Sequence, residues 1–145
     1  MRKYFRPDIF LGVYSSDMLP PIESRPCCLI ANTDPSYKSG EHWVGFIFHC
    51  NGTGEYFDSF GLPPTKKVFL DYLNHNSNFR WSFNSVCIQN PSPESVTCGQ
   101  FCILYLYLRC YGYEHCEIIC MFNQYNLGAN DRMVKCLLKE IKKFA

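Results

Sequence analysis

Four side chains of this 145-residue sequence could together perform nucleophilic chemistry on a carbonyl group. Cys98 follows the polar loop 90–97 and opens an apolar run that predicts a helix. A thiol at a helix N-terminus is favoured as thiolate, because the positive end of the helix dipole lowers its pKa. His42 could pair with that thiolate, and Asp58 could orient the imidazole through its other ring nitrogen. The Gln89 amide and the Cys98 backbone amide could donate hydrogen bonds to the oxyanion that forms on attack.

The same residue types also permit a purely structural interpretation. In that alternative Cys98 is a core thiol, His42 points to solvent and Asp58 caps a hairpin by accepting hydrogen bonds from nearby backbone amides. A cysteine-rich chain offers such residues without any catalytic role. The sequence leaves both interpretations open at this level.

The register of one hairpin separates the two interpretations. "HWVGFIFHC" and "EYFDSFG" predict two strands joined by a tight turn. A two-residue loop at 51–52 would turn the Asp58 side chain away from the face of His42. A three-residue loop at 50–52 would place Asp58 opposite Val44, on the same face as His42 and diagonal to it. The catalytic interpretation therefore requires the odd loop, whose last residue is a glycine suited to a left-handed conformation.

The whole chain predicts a single α+β domain over residues 1–145, with a small, mostly antiparallel sheet packed on a buried central helix that carries Cys98. Period-two segments predict strands and 3.6-residue spacing predicts helices. The expected elements are a short helical or irregular opening at 8–20, strands at 25–34, 42–50, 55–61 and 80–90, and helices at 63–76, 98–112, 114–123 and 130–144. The last helix is expected to begin on Asn130 as its cap and to bury one apolar face: Met133, Val134, Leu137, Leu138 and Ile141.

Composition excludes several classes of function. The apolar fraction of 47% is typical of a chain with a real core, and a net charge of +1 gives no large electrostatic footprint for nucleic acid. The longest apolar stretch, 101–108, is too short to span a bilayer. The start of the sequence does not resemble a secretory signal, so we expect a soluble protein that is not secreted.

Ten cysteines are present, and we expect them to be free and mostly buried. A disulfide framework and a structural metal remain as alternatives. A metal would have to use Cys98 with Cys102, or Cys116 with Cys120, and neither pair has the C-x-x-C spacing of a zinc ribbon. We therefore expect no cofactor and no metal. Several cysteines are interpreted as small apolar residues: Cys27, Cys28, Cys110, Cys116 and Cys120.

The remaining reactive side chains favour structural roles. His49 lies seven residues after His42, so on a regular strand it faces the opposite way. Trp43 is typical of core packing. Cys102 follows Cys98 by one helical turn and is predicted to be a buried thiol. Four lysines of the last segment predict a solvated helix face: Lys135, Lys139, Lys142 and Lys143.

Four short sequence blocks favour the catalytic interpretation over the structural one. "GEHWVGFIF", "YFDSFG", "IQN" and "CGQFC" resemble, in this order, the His-Trp, acidic, Gln and Cys-Gly blocks of the adenovirus protease (adenain) family. "DIFLGVYSSDMLP" and "CCLIANTD" also resemble N-terminal segments of that family, so the similarity runs from about residue 8 to 110. The longer match "FDSFGLPP" resembles the adenain-like proteases of Maverick (Polinton) elements and related viruses.

The resemblance implies a papain-like active site with Cys98 as nucleophile, His42 and Asp58 as its partners, and Gln89 as oxyanion donor. The implied activity is that of a cysteine endopeptidase, which cleaves capsid or virion precursor polyproteins at small-residue, often glycine-containing, sites. The block order is also similar to that of ubiquitin-like-protein proteases, so removal of ubiquitin or a related modifier is an alternative. A non-catalytic binding domain of the same fold is a third.

The resemblance also implies partners and a location. Its protein substrates would be virion precursors, and the enzyme would act as a monomer without a membrane, in the host cytoplasm or nucleus or in the virion. Adenovirus enzymes respond to DNA and to a short peptide that forms a disulfide with them. Because the net charge is near zero and no cysteine matches the disulfide-forming position, an activating peptide or DNA is implied by resemblance alone.

Overall fold

The computed structural model describes residues 4–144 and contains one five-stranded sheet and four helices. The strands lie side by side in chain order. They are β1 (Phe10–Tyr14), β2 (Cys27–Asn32), β3 (Trp43–Phe48), β4 (Gly54–Phe57) and β5 (Trp81–Phe83). The helices are α1 (Lys67–Ser77), α2 (Cys98–Cys110), α3 (His115–Cys120) and α4 (Leu127–Phe144). No helix in this described range is long and apolar enough to cross a bilayer.

The sheet has a core on each of its faces. Alternate residues of β2 and β3 point to opposite sides, which follows from the two-residue period of a strand. Cys28, Ile30 and Ile47 face a core built with α2, α3 and α4. The opposite face of the sheet packs against α1. This second core contains strand residues and the α1 residues Phe69 and Leu73; the strand residues include Cys27, Leu29, Ala31, Val44, Phe46 and Phe48. The chain is therefore an α+β domain of three layers. The buried helix α2 packs on one face of the sheet, as predicted.

Helix α2 is buried on nearly all sides, which its apolar sequence predicts. It begins at Cys98 and ends near Gly112, whose positive φ of 91° continues the chain after the last turn. The Tyr113 amide donates back to the Leu108 carbonyl at 3.1 Å, the bond of a left-handed helix terminus. Helix α2 lies close against β3 at Gly45. A Cβ on Gly45 would lie 3.3 Å from the Leu106 side chain, so the glycine allows the helix to pack there.

The β3–β4 hairpin has the three-residue loop that the catalytic interpretation requires. Phe46 pairs with Tyr56 and Phe48 with Gly54, and the His49 amide donates to the Thr53 carbonyl at 2.9 Å. The loop is thus 50–52, and its last residue has a positive φ of 88°. By this register, the residues just outside the ladder, His42 and Asp58, share one side of the hairpin.

Three sequence-based predictions of local structure are wrong. Segment 8–20 contains strand β1 and no helix, and β1 pairs parallel to β2. The predicted strand 80–90 is limited to Trp81–Phe83, which pairs parallel to β4. The sheet is therefore evenly mixed, with two antiparallel pairs between two parallel ones. Helix α4 begins at Leu127, so Asn130 lies inside the helix and is buried.

The turn 59–61 packs against the segment that leads to Gln89. The Ser59 carbonyl accepts hydrogen bonds from the Ile88 and Gln89 amides at 2.9 and 3.0 Å. Gly61 has a φ of 72°, and a Cβ on it would lie 2.6 Å from the Val86 carbonyl carbon. This backbone contact leaves no room for a side chain.

We expect Gly61→Ala to lower the free energy of unfolding by about 2–4 kcal/mol, because both the conformation and the contact with residue 86 are lost. Gly112→Ala is the matched control, since Gly112 also has a positive φ but nothing lies within 4 Å of its Cβ position. The control should lose only about 1 kcal/mol. Urea denaturation measures both values, and equal losses would show that the backbone contact carries no weight.

Candidate active site

His42 and Asp58 meet at the ends of the two hairpin strands. His42 lies one residue before β3 and Asp58 one residue after β4. His42 Nε2 is 2.8 Å from Asp58 Oδ1. Both side chains are largely buried, at 16% and 7% exposure. The structural alternative, with His42 pointing to solvent, is therefore wrong.

The Asp58 carboxylate is fixed by its own surroundings. Oδ1 also accepts a hydrogen bond from the Phe60 amide at 2.8 Å. The Asn84 side chain binds the backbone of Asp58 in both directions, accepting from its amide at 2.9 Å and donating to its carbonyl at 2.5 Å. The carboxylate therefore combines the two roles that the sequence left as alternatives, because it caps the turn and also binds the imidazole.

Cys98 is the first residue of α2, and its thiol lies near enough to the His42 imidazole for each group to shift the pKa of the other. Burial raises the pKa of the Cys98 thiol, but hydrogen bonds from His42 and from the Trp43 and Gly99 amides outweigh burial and lower it below its usual range. The N-terminus of a 13-residue helix adds a further stabilising field. Since Asp58 occupies Nε2, Nδ1 is the ring nitrogen available to the sulfur.

His42 is held in its protonated form. Burial lowers the pKa of the imidazole, but the hydrogen bonds and charges of Asp58 and Cys98 raise it to about 9. The raised pKa of His42 and the lowered pKa of Cys98 both favour the thiolate–imidazolium form of the pair. Because the folded pKa of His42 lies above the ordinary 6.5, the proton held on His42 stabilises the fold fully below pH 6.5. That contribution is lost as the pH rises through about 9.

Gln89 is buried, at 1% exposure, and lies within a directional chain of hydrogen bonds that begins at Ser59 and ends at Asp131. The Ser59 hydroxyl donates to Gln89 Oε1 at 2.5 Å. Gln89 Nε2 donates to Ser95 Oγ at 2.9 Å, and the Ser95 hydroxyl donates to Asp131 Oδ2 at 2.6 Å. These partners fix which end of the amide is nitrogen, because the Ser95 hydrogen is already used on Asp131. The second hydrogen on Gln89 Nε2 has no partner in these contacts.

Two aromatic rings stand beside the pair. The Phe60 ring stacks on the His42 imidazole with centroids 4.9 Å apart. A Cβ at Gly99 would lie 3.6 Å from Trp43 Cδ1, so the indole packs against the first turn of α2. Trp43 belongs to the core, as predicted, and its ring also borders the site.

Other predicted residues lie outside the site. His49 contacts the buried carboxylate of Glu55, which also binds Arg109, so its structural role is confirmed. Cys102 is buried and its thiol donates to the Trp43 carbonyl at 3.4 Å. Within residues 4–144, no three His, Cys, Asp or Glu side chains converge as metal ligands.

All ten cysteines carry free thiols, but only four are buried: Cys27, Cys28, Cys98 and Cys102. The prediction of mostly buried thiols is therefore wrong. Cys110, Cys116 and Cys120 are exposed, because each lies at or near the end of a helix, although the Cys110 sulfur also reaches the buried Cys28.

Sequence reasoning missed the residues that hold the site together. Ser59, Asn84, Ser95 and Asp131 gave no signal, because short polar side chains in loops are ordinary. Asp131 lies 41 residues after Asn90 and accepts a hydrogen bond from its backbone amide at 3.1 Å. Only the packing of α4 brings the two residues together.

No protein-family model matches this sequence, and no curated protein is similar to it. Among solved structures, the chain is similar to the ASFV pS273R protease, whose crystal structure was determined with selenomethionine. The TM-score is 0.52 and the sequence identity 19%, over 76% of this chain and 44% of that one. The chain thus spans less than half the length of that protease. The likeness confirms the predicted fold class, whereas kinship to Maverick elements stays a prediction.

We expect iodoacetamide at about pH 6 to label two cysteines ahead of the others, because thiolate is the reactive form. These are Cys98 and Cys110, whose pKa values are both lowered. His42→Ala should slow labelling of Cys98 and leave Cys110 unchanged. Time-resolved peptide mapping measures each rate, with exposed Cys116 as baseline. Labelling of Cys98 at the baseline rate, or no effect of His42→Ala on it, would contradict the ion pair.

Proposed function

We propose that this chain is a cysteine endopeptidase with Cys98 as nucleophile, His42 as proton carrier and Asp58 as the group that orients His42. The contact between Cys98 and His42, with His42 Nε2 at 2.8 Å from Asp58, carries the proposal. Nucleophile, base and orienting carboxylate in this order form a working catalytic triad. The likeness in fold to a viral protease supports the same conclusion.

In the first half of the reaction, the Cys98 thiolate attacks the carbonyl carbon of a peptide bond and a carbon–sulfur bond forms. The His42 imidazolium then donates its proton to the leaving amine, and the carbon–nitrogen bond breaks. The product that stays behind is a thioester on Cys98. No outside base is needed to form the nucleophile, because the thiol proton already resides on His42.

In the second half, neutral His42 takes a proton from a water molecule that attacks the thioester. The acyl group leaves as a carboxylic acid, and the thiolate and imidazolium are restored. Asp58 takes no proton in either step, because its role is to hold the ring and stabilise its charge. The hydrogen bond from the Phe60 amide keeps the carboxylate in place during both steps.

The oxyanion of each tetrahedral intermediate needs fixed donors. The Cys98 backbone amide is the first of a helix and is free of an intrahelical partner. The unused hydrogen of Gln89 Nε2 is the second donor, held in place by Ser59 and Ser95. A preorganised donor of this kind contributes on the order of 10²–10³ in kcat.

Substrates of the proposed enzyme are proteins with a small residue before the cleaved bond. The Phe60 ring on His42 and the Trp43 ring on Gly99 stand beside the nucleophile, and such walls favour glycine over bulky side chains. Together with the family resemblance, this supports virion precursor polyproteins as substrates, processed in the host cell or the virion. Ubiquitin-like modifiers end in Gly-Gly, so their conjugates would also fit between these two rings. Such conjugates are the second candidate class of substrate.

The activity can be tested with two substrates and one inactive variant. We expect the purified chain to cut a capsid-precursor peptide with a Gly-containing site, and Cys98→Ala to show no cleavage of it. A Gly-Gly-ended modifier conjugate serves as the competing substrate, and faster cleavage of the conjugate would favour the second candidate. Equal products with the parent chain and Cys98→Ala would revive a binding domain without catalysis.

Asp58→Asn should keep the fold and lower kcat by about 10³ or more, because the amide favours the wrong imidazole tautomer. KM should change little, since the carboxylate does not contact the substrate. Asp71→Asn is the matched control, because Asp71 is an exposed residue of α1 paired only with Lys67. Steady-state kinetics on both variants decides, and a normal kcat for Asp58→Asn would mean that the carboxylate only caps the turn.

A further inference from the structure

A second pair of reactive groups lies at the opposite end of α2 from Cys98. Cys110 is the last residue of α2, and its sulfur is 4.0 Å from the sulfur of Cys28 on β2. Cys110 is exposed and Cys28 is completely buried. We propose that Cys28 and Cys110 form a reversible redox site, in which a low-molecular-weight disulfide converts the two thiols into an intramolecular disulfide.

The alternation of β2 selects Cys28 over its neighbour. Cys28 faces the core that includes α2, whereas Cys27 faces α1 on the other side of the sheet. A sulfur–sulfur bond is about 2.05 Å long, so closure needs a movement of about 2 Å. Cys110 can supply that movement, because it sits in the exposed last turn of its helix.

The two thiols differ in the way that disulfide exchange requires. The hydrogen bond from Cys28 and the positive charges of Arg109 and Arg6 lower the pKa of Cys110, against the effect of burial. The same contact with Cys110, together with burial, raises the pKa of Cys28 far above its usual range. Because Cys110 is exposed and Cys28 is completely buried, Cys110 is the attacking thiolate and Cys28 is the thiol that resolves the intermediate.

A cavity beside the pair can admit the oxidant. Its volume is about 450 Å³, and its lining includes Cys28, Cys110 and Arg109 together with two further cysteines, Cys27 and the exposed Cys50. The Arg109 guanidinium is paired with the Glu55 carboxylate, so the cavity offers space for the reagent and no free positive charge. The site therefore offers a reactive thiolate, a resolving thiol and room for the reagent.

The exchange balances in two steps. The Cys110 thiolate attacks one sulfur of the reagent, a mixed disulfide forms, and the other half leaves as a thiolate. Cys28 then loses its proton to that thiolate and attacks the Cys110 sulfur, which releases the second half as a thiol after it takes up a proton. In total two protein thiols are oxidised, and one reagent disulfide is reduced to two thiols. The resulting bond would tie β2 to α2 and protect Cys110 from irreversible oxidation.

The test uses the full chain with Cys98→Ala, which removes the other thiolate, and oxidised glutathione near neutral pH. We expect the intact mass to fall by two hydrogens, and a nonreducing digest to contain one peptide pair linked through Cys28 and Cys110. Dithiothreitol should reverse both changes. A stable glutathione adduct on Cys110 without the linked peptides would overturn the proposal, and so would a disulfide through any other pair.

Three further variants separate the roles of the two thiols. With Cys28→Ser, the glutathione adduct on Cys110 should accumulate, because nothing resolves it. With Cys110→Ser, Cys28 should stay unmodified, since the buried thiol is out of reach of the reagent. Cys116→Ser, at an exposed cysteine of α3, should behave like the parent. Modification of Cys28 in the absence of Cys110 would contradict the assigned order, and the linked peptides of the parent decide even if a serine variant fails to fold.

Discussion

A buried imidazolium is stable only when both of its ring nitrogens meet a partner that favours the charge. His42 is in this position, with Asp58 on one nitrogen and the Cys98 sulfur available to the other. That requirement brings three elements to one point: the start of β3, the end of β4 and the start of α2. The three-residue hairpin loop sets the first two in register, and the close contact of Gly45 with Leu106 seats the helix that carries the third. Burial makes the charge on His42 energetically costly. It also excludes water, which would weaken the electrostatic interactions of His42 with its partners.

Helix α4 contributes no group that reacts, yet the site depends on it. Its Asp131 accepts hydrogen bonds from the Ser95 hydroxyl and the Asn90 amide, and Ser95 in turn fixes the Gln89 amide. The neighbouring Asn130 is buried and donates to the Ile88 carbonyl at 3.0 Å. Hydrogen bonds to residues of α4 therefore hold the long loop between Gln89 and Cys98 in place. The proposed role of Gln89 as an oxyanion donor depends on such a fixed position.

Sequence patterns predicted the parts of this arrangement that local rules determine. The strand period predicted the hairpin and limited its register to two alternatives, between which the structure decides, and the apolar run after Cys98 predicted the central helix. Strand β1 escaped prediction because its pairing with β2 is irregular between Phe10 and Val13, where Gly12 adopts a φ of 139° and breaks the alternation. The strand predicted over 80–90 ends early because Asn84 turns inward to bind the backbone of Asp58. The role of Asp131 rests on packing between distant segments, which no local pattern records.

The most direct measurement of the central claim is the titration of the His42 imidazole by nuclear magnetic resonance. The account predicts that His42 stays protonated at neutral pH and titrates with a pKa of about 9. In Cys98→Ala the pKa should fall, because one of the two groups that hold the proton is gone while the burial of the ring remains. An imidazole that titrates near its ordinary 6.5 in the parent chain, and is unchanged in Cys98→Ala, would contradict the thiolate–imidazolium pair.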